Sequence, residues 1–176
     1  MLLGFTVLLT NRQSLQYGTV ISQTEIDIYS VSLAQSIIEE AAGRAFDHWS
    51  ATDTAGNGAV ITALSQLTAY TALGTEGDDN YAITSKGFDD FDDYNAWTTK
   101  PYVTYVPGVD SFHIQASVFY VDTTNPDLKV NATTWHKKIV VKVWPTIVPW
   151  GDSTTSGKSK PDTVTMSYLY SYWWFR

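Results

Sequence analysis

SQTEIDIYSVSLAQSIIEEAAGRAFDHW, residues 22–49, carries the clearest helical pattern in this 176-residue chain. Its apolar residues recur first after three positions and then every four, at Ile26, Tyr29, Leu33, Ile37, Ala41, Ala45 and Trp49. Three more residues widen the same stripe: Ala34, Ile38 and Ala42. This spacing predicts an amphipathic helix with one face packed on other protein. Glu40 can pair with Arg44 one turn later on the outer face.

The helix can extend through the residues before it. Residues 1–21 contain no proline and only two glycines, Gly4 and Gly18. One nearly continuous helix over residues 1–48 would be about 70 Å long at ~1.5 Å per residue. A globule of this chain length is only about 30–40 Å across. We therefore expect the helix to protrude from the rest of the protein.

The first nine residues, MLLGFTVLL, form a strongly apolar run that ends at Asn11, Arg12 and Gln13. Nine residues are too few to span a bilayer, which needs roughly 20. A secretory signal would place basic residues ahead of the apolar core, and none stand there. Either the chain begins inside a longer hydrophobic segment, which we favour, or this stub packs against other protein.

The remainder of the chain has the pattern of a β-rich head. The turn cluster DTAGNG at 53–58 ends the helical part. Residues 59–73 are compatible with a strand or a short helix, and four strand-like runs follow at 102–106, 112–121, 135–144 and 164–175. Short connections between such runs predict hairpins and an antiparallel sheet. The predicted fold is α+β: a long protruding N-terminal helix (residues 1–50) packed on an antiparallel β-sheet head (residues 51–176).

Composition argues against several classes of function. The net charge is −7 and the eleven Lys and Arg are spread over the chain, which argues against a nucleic-acid partner because phosphate binding needs clustered basic residues. There is no cysteine, so disulfides, thiolate metal sites and cysteine nucleophiles are excluded. No Gly-rich phosphate loop and no Gly-x-Ser-x-Gly motif occurs. We expect a protein that is not an enzyme.

The strongest chemical cluster lies in GFDDFDDYNAW at 87–97, which holds four carboxylates: Asp89, Asp90, Asp92 and Asp93. A hard cation such as Ca²⁺ takes 6–8 oxygens and tolerates loop geometry. The cluster is therefore a candidate calcium site, with Asp78 and Asp79 as helpers, although the Gly and closing Glu of an EF-hand are missing.

Two alternatives remain for the same acidic cluster. One is a solvated loop anchored by Phe88, Phe91 and Tyr94. With or without a metal, the spacing of three points these rings into the head, and we expect the four Asp side chains to face outward. The other is a glycosidase acid/base pair, which is a weaker hypothesis because neighbours on one loop rarely straddle a substrate.

Two further sets of residues were considered as sites. The three histidines, His48, His113 and His136, lack metal-binding spacing, so we interpret each as a packing or surface residue. A terminal aromatic run could stack on sugars: Tyr168, Tyr170, Tyr172, Trp173 and Trp174. Such a ladder more often fills a sheet–helix interface or covers a neighbouring subunit, and we favour that interpretation.

A long apolar-to-amphipathic helix followed by an antiparallel sheet resembles the type IV pilin and pseudopilin group. The stretch GFTVLL at 4–9 resembles the prepilin junction, in which Gly precedes a Phe-Thr-Leu-Ile-Glu-Leu run. The stretch FDDFDDYN at 88–95 resembles an Asp-rich motif in minor pilins of the mannose-sensitive haemagglutinin type. The chain departs from the family at Leu9, where the family has glutamate, and it lacks a basic leader before Gly4 and the pilin disulfide loop.

The resemblance implies a bacterial structural subunit of an extracellular pilus-like or pseudopilus-like filament, exported through the inner membrane and associated with cell adhesion. Identical subunits would form a helical homo-oligomer by bundling their N-terminal helices. Because an all-round apolar helix must be buried on all sides, we expect a subunit interface of Leu2, Leu3, Phe5, Val7, Leu8, Leu9, Leu15, Val20 and Ile21. The alternative is a monomeric exported binding domain, for carbohydrate or adhesion, tethered by its N-terminal helix.

Overall fold

The structure, a computed structural model, describes six parts of the chain: residues 24–51, 60–76, 87–99, 102–103, 111–146 and 163–172. One helix, α1 (24–42), precedes four strands: β1 (Tyr102–Val103), β2 (Ser111–Tyr120), β3 (His136–Pro145) and β4 (Val164–Ser171). The strands form one antiparallel sheet in chain order, and α1 packs on it. The predicted α+β class, with a helix on an antiparallel sheet, is confirmed.

The buried face of α1 follows the predicted stripe. Five of its apolar side chains are buried in the main core: Ile26, Ala34, Ile37, Ile38 and Ala41. Tyr29 and Leu33 pack against that core, and the ring of Tyr29 stacks on Phe112 of β2 at 5.5 Å between centroids. The predicted ion pair of Glu40 and Arg44 is present at 3.4 Å.

The C-terminal end of α1 differs from the prediction. The helix ends at residue 42, where Gly43 follows, and glycine is a poor helix former. Ala45 then leaves the helical path and bridges the backbone of Asp90, and Trp49 is largely exposed. The prediction that the periodic stripe continues as helix to Trp49 was therefore wrong. Residues 1–23, with the predicted protrusion, lie outside the described residues.

The two long central strands present the predicted faces. The core-facing residues of β2 are Phe112, Ile114, Ala116, Val118 and Tyr120, and those of β3 are Lys137, Ile139, Val141 and Val143. The register brings Val118 opposite Ile139 and Tyr120 opposite Lys137. A lysine therefore lies at the end of an otherwise apolar inner face.

Irregular segments cover one end of the helix and sheet. Residues 60–76 contain no strand and one short helix, the 3₁₀ turn Leu64–Gln66; the rest of the segment is irregular. Residues 87–99 pack four aromatic side chains into the core: Phe88, Phe91, Tyr94 and Trp97. The backbone of this segment pairs with the chain after α1, since Phe91 N–H donates to Ala45 O at 2.9 Å. In the described parts of the chain, α1 included, no helix has the length and hydropathy needed to cross a membrane.

Candidate functional site

Lys137 is the centre of a buried ionic cluster. Its side chain is fully buried, and its ammonium donates to Phe46 O at 2.8 Å, to Asp47 Oδ2 at 2.8 Å and to Asp92 Oδ1. These three bonds use all three donors of the ammonium group. The rings of Phe46 and Tyr120 lie 4.7 and 5.5 Å from Nζ, where the aromatic faces also attract the charge.

Asp47 connects the lysine to the segment at 60–76. It lies just before the 3₁₀ turn His48–Ser50, which follows the end of α1. Besides binding Lys137, its carboxylate accepts the backbone N–H of Thr68 at 3.0 Å and the Thr68 hydroxyl at 3.2 Å. The hydroxyl of Tyr120 donates to Thr68 O at 2.7 Å from the strand side. One carboxylate therefore joins the chain after α1, the irregular segment and β3.

The Asp-rich loop folds inward and binds its own backbone. Asp90 Oδ1 accepts the N–H groups of Asp92 and Asp93 at 2.7 and 3.2 Å. Asp93 Oδ2 accepts the N–H groups of Asp89 and Asp90 at 2.9 and 3.1 Å. These bonds hold the turn whose 3₁₀ part is Asp92–Tyr94.

The expectation that the four Asp side chains face outward was wrong for Asp90, Asp92 and Asp93, while Asp89 is half-buried. Asp90, Asp92 and Asp93 are exposed by only 0, 0 and 1%. The reason is that the interior offers partners, the Lys137 ammonium and the loop's own N–H groups, which the spacing of the aromatic residues does not reveal. The inward direction of Phe88, Phe91 and Tyr94 is confirmed.

Burial and neighbouring charges set the ionisation of the cluster. Burial by itself lowers the pKa of Lys137, but the facing carboxylates of Asp92 and Asp47 outweigh it, and the pKa lies above its usual value. The pKa of Asp90 is raised to about 10. Burial is the largest cause, repulsion from the Asp92 carboxylate adds to the rise, and attraction to Lys137 opposes it. Burial raises the pKa of Asp92 as well, and Lys137 only partly opposes it. The single ammonium contacts two carboxylates, Asp47 and Asp92, and among the described residues it makes no ion pair with Asp90.

A second group of side chains adjoins this cluster. His48, Glu76 and Asp90 each bring one potential metal-ligand atom to within 4.8 Å of the others, and His48 Nδ1 lies 3.9 Å from Glu76 Oε2. Asp90 forms the buried wall of the group, whereas the side chains of His48 and Glu76 are 13 and 26% exposed. No sequence pattern indicates this group, because long stretches of chain separate the three residues.

The other predicted site residues are distributed as follows. Of the candidate calcium ligands, Asp90 alone joins the His48–Glu76–Asp90 group in the described residues, and the four-carboxylate calcium site stays a prediction. The helpers Asp78 and Asp79 and all nine predicted interface residues lie outside the described residues. His113 stacks on Trp144 at 5.4 Å, in agreement with a packing role.

The terminal aromatic run contributes to packing. The ring of Tyr170 contacts Phe46 and Phe91 edge-on at 5.4 and 5.0 Å. The hydroxyl of Tyr172 accepts the N–H of Ile61 at 2.9 Å. These contacts support the packing interpretation for Tyr170 and Tyr172, while Tyr168 is exposed and Trp173 and Trp174 lie outside the described residues.

One histidine–hydroxyl pair also occurs on the sheet. His136 Nδ1 and Ser171 Oγ lie 2.7 Å apart, directly across from each other on β3 and β4. Among the described residues no carboxylate bonds the other ring nitrogen of His136, so we interpret the pair as a cross-strand contact.

Comparisons of the chain with protein-family models, with curated proteins and with solved structures find no match.

Proposed function

We propose that this chain is a non-enzymatic structural subunit of an extracellular pilus-like or pseudopilus-like filament, held together by bundled N-terminal helices. The observation that supports the proposal is the position of α1. It packs one face on its own sheet, keeps Ile28 and Val31 on the other face 63 and 40% exposed, and follows a strongly apolar stretch of sequence. One face of such a helix packs on its own head, and the opposite face stays accessible to a second copy of the chain.

Apolar contacts and buried ion pairs attach α1 and the chain that follows it to the head. Ile26, Ile37 and Ile38 are almost fully buried, and each contributes roughly 1.5–3 kcal/mol to docking of the helix. The Lys137 cluster then fixes the chain immediately beyond α1, through Phe46 O and Asp47. Force applied along α1 would therefore reach both the apolar core and the buried ion pairs.

The apolar N-terminal run supplies the driving force for assembly. Exposed on a single protruding helix, it would aggregate or require a membrane. Six large side chains, Leu2, Leu3, Phe5, Val7, Leu8 and Leu9, could contribute on the order of 10 kcal/mol per subunit on burial, before entropy costs. In this proposal the inner membrane holds the run before assembly, and the helices of identical subunits bury it afterwards.

Electron microscopy of the purified chain tests the proposal. Regular filaments with a helical repeat are expected, and dispersed monomers would favour the alternative of a tethered exported binding domain. The same preparation applied to a glycan array separates the two further. Carbohydrate binding that is lost on Trp173→Ala, without filaments, would contradict the filament proposal.

A further inference from the structure

The group formed by His48, Glu76 and Asp90 includes a buried carboxylate oxygen, Asp90 Oδ2, that faces into the group. Asp90 is fully buried, and its Oδ1 accepts two backbone hydrogen bonds. Its Oδ2 has no hydrogen-bond partner among the residues that the structure describes. His48 Nδ1 is also buried and makes no hydrogen bond to the described parts of the chain. A buried polar atom without a partner is costly, and native proteins contain few of them.

Lys137 cannot supply the missing partner. Its three donors are committed to Phe46 O, Asp47 and Asp92. A second cation on the side of Asp90 that faces His48 and Glu76 would supply it. The partial exposure of His48 and Glu76 gives such a cation a route from solvent.

We infer that His48, Glu76 and Asp90 bind one divalent transition-metal ion of the zinc class. An imidazole nitrogen with two carboxylates suits zinc and its neighbours, whereas Ca²⁺ prefers oxygen ligands alone. With metal–ligand bonds of ~2.0–2.1 Å, ligands of a tetrahedral site stand about 3.3–3.4 Å apart. The potential ligand atoms now lie within 4.8 Å of one another. Small rotations of the His48 and Glu76 side chains would bring them to this closer spacing.

The bound metal would fasten the irregular end of the head. His48 belongs to the turn after α1, Glu76 ends the described part of the 60–76 segment, and Asp90 lies in the Asp-rich loop. A metal with one ligand from each would cross-link three segments that lie outside the four strands of the main sheet. This role is independent of the filament proposal.

Isothermal titration of the intact, EDTA-treated protein with Zn²⁺ tests the inference. One ion per chain is expected, with a melting temperature raised by about 5–10 °C at a hundredfold excess over Kd. His48→Ala and, separately, the near-isosteric Glu76→Gln should each weaken Zn²⁺ affinity at least tenfold. His113→Ala is the matched control, because His113 stacks on Trp144 in the sheet, and it should bind Zn²⁺ as the native chain does.

Shifts of the His48 ring resonances on adding Zn²⁺ would place the ion at this histidine. Absence of zinc binding, or zinc binding unchanged in both His48→Ala and Glu76→Gln, would overturn the inference. So would a melting temperature that rises with Ca²⁺ alone and keeps that response in His48→Ala, since this places the cation among the Asp residues instead.

Discussion

Replacing Lys137 by Met should destabilise the head strongly. Methionine keeps most of the length and apolar stem of lysine, so the change removes the charge with little loss of volume. It leaves Asp47 and Asp92 buried without their cation. Breaking a buried ion pair by removing one partner costs about 3–5 kcal/mol. The total stability of a domain is only about 5–15 kcal/mol, so the loss is a large fraction of it.

Urea unfolding measures this loss. With a slope of about 2 kcal/mol per molar urea, the midpoint should fall by roughly 2 M. Lys138→Met is the matched control: it is the next residue on β3, and its ammonium bonds the highly exposed Asp127 at 2.7 Å. Because exposed ion pairs contribute little, the control should unfold close to the native midpoint.

A triple variant keeps the test informative if Lys137→Met fails to fold. Adding Asp47→Asn and Asp92→Asn removes both uncompensated charges, so much of the lost stability should return. If Lys137→Met unfolded at the native midpoint, or lost no more stability than Lys138→Met, the cluster would not hold the head together.

Three other perturbations address separate parts of the molecule. Leu8→Asp should abolish filaments while the head stays folded, because a charge enters the expected helix bundle; electron microscopy and circular dichroism report the two properties. Asn95→Ala should lower the free energy of unfolding, measured with urea, by about 1–3 kcal/mol. The Asn95 side chain donates to Leu73 O at 2.9 Å and accepts the N–H of Val118 at 3.1 Å, and the alanine variant leaves that N–H without this partner. With EDTA present, the free energy of unfolding should fall as the pH rises from about 4 towards 10, by at most about 1.4 kcal/mol per pH unit. The reason is that Asp90 keeps its proton in the folded state over this range, whereas the unfolded chain releases it. Asp90→Asn should flatten this dependence, and an unchanged slope would show that Asp90 is ionised in the folded state.

Periodicity predicted the parts of the fold in which one face of an element is buried. The stripe on α1 and the alternation on β2 and β3 are local properties, so the sequence displays them directly. The pattern even placed Lys137 on the inner face of β3 with Ile139 and Val141. Its role was missed because the partners that make burial of a lysine tolerable lie about 90 and 45 residues away in the chain.

The candidate site was less predictable for the same reason. The Asp-rich loop stood out as a cluster, but which way its carboxylates face depends on Lys137 and on the turn that brings Asp90 beside Ala45. His48 and Glu76 carry no spacing signal, and the fold alone brings them to Asp90. The end of α1 had a visible signal in Gly43, which the continuing apolar stripe outweighed in the sequence-based prediction.

A reconstruction of the assembled material by electron cryo-microscopy tests the filament proposal most directly. We predict a central bundle of helices built from the apolar N-terminal residues, with α1 and its sheet forming a head on the outside of each subunit. A filament whose core is instead formed by head-to-head strand pairing, for example along the β4 edge, would contradict the account, as would a preparation that contains only monomers.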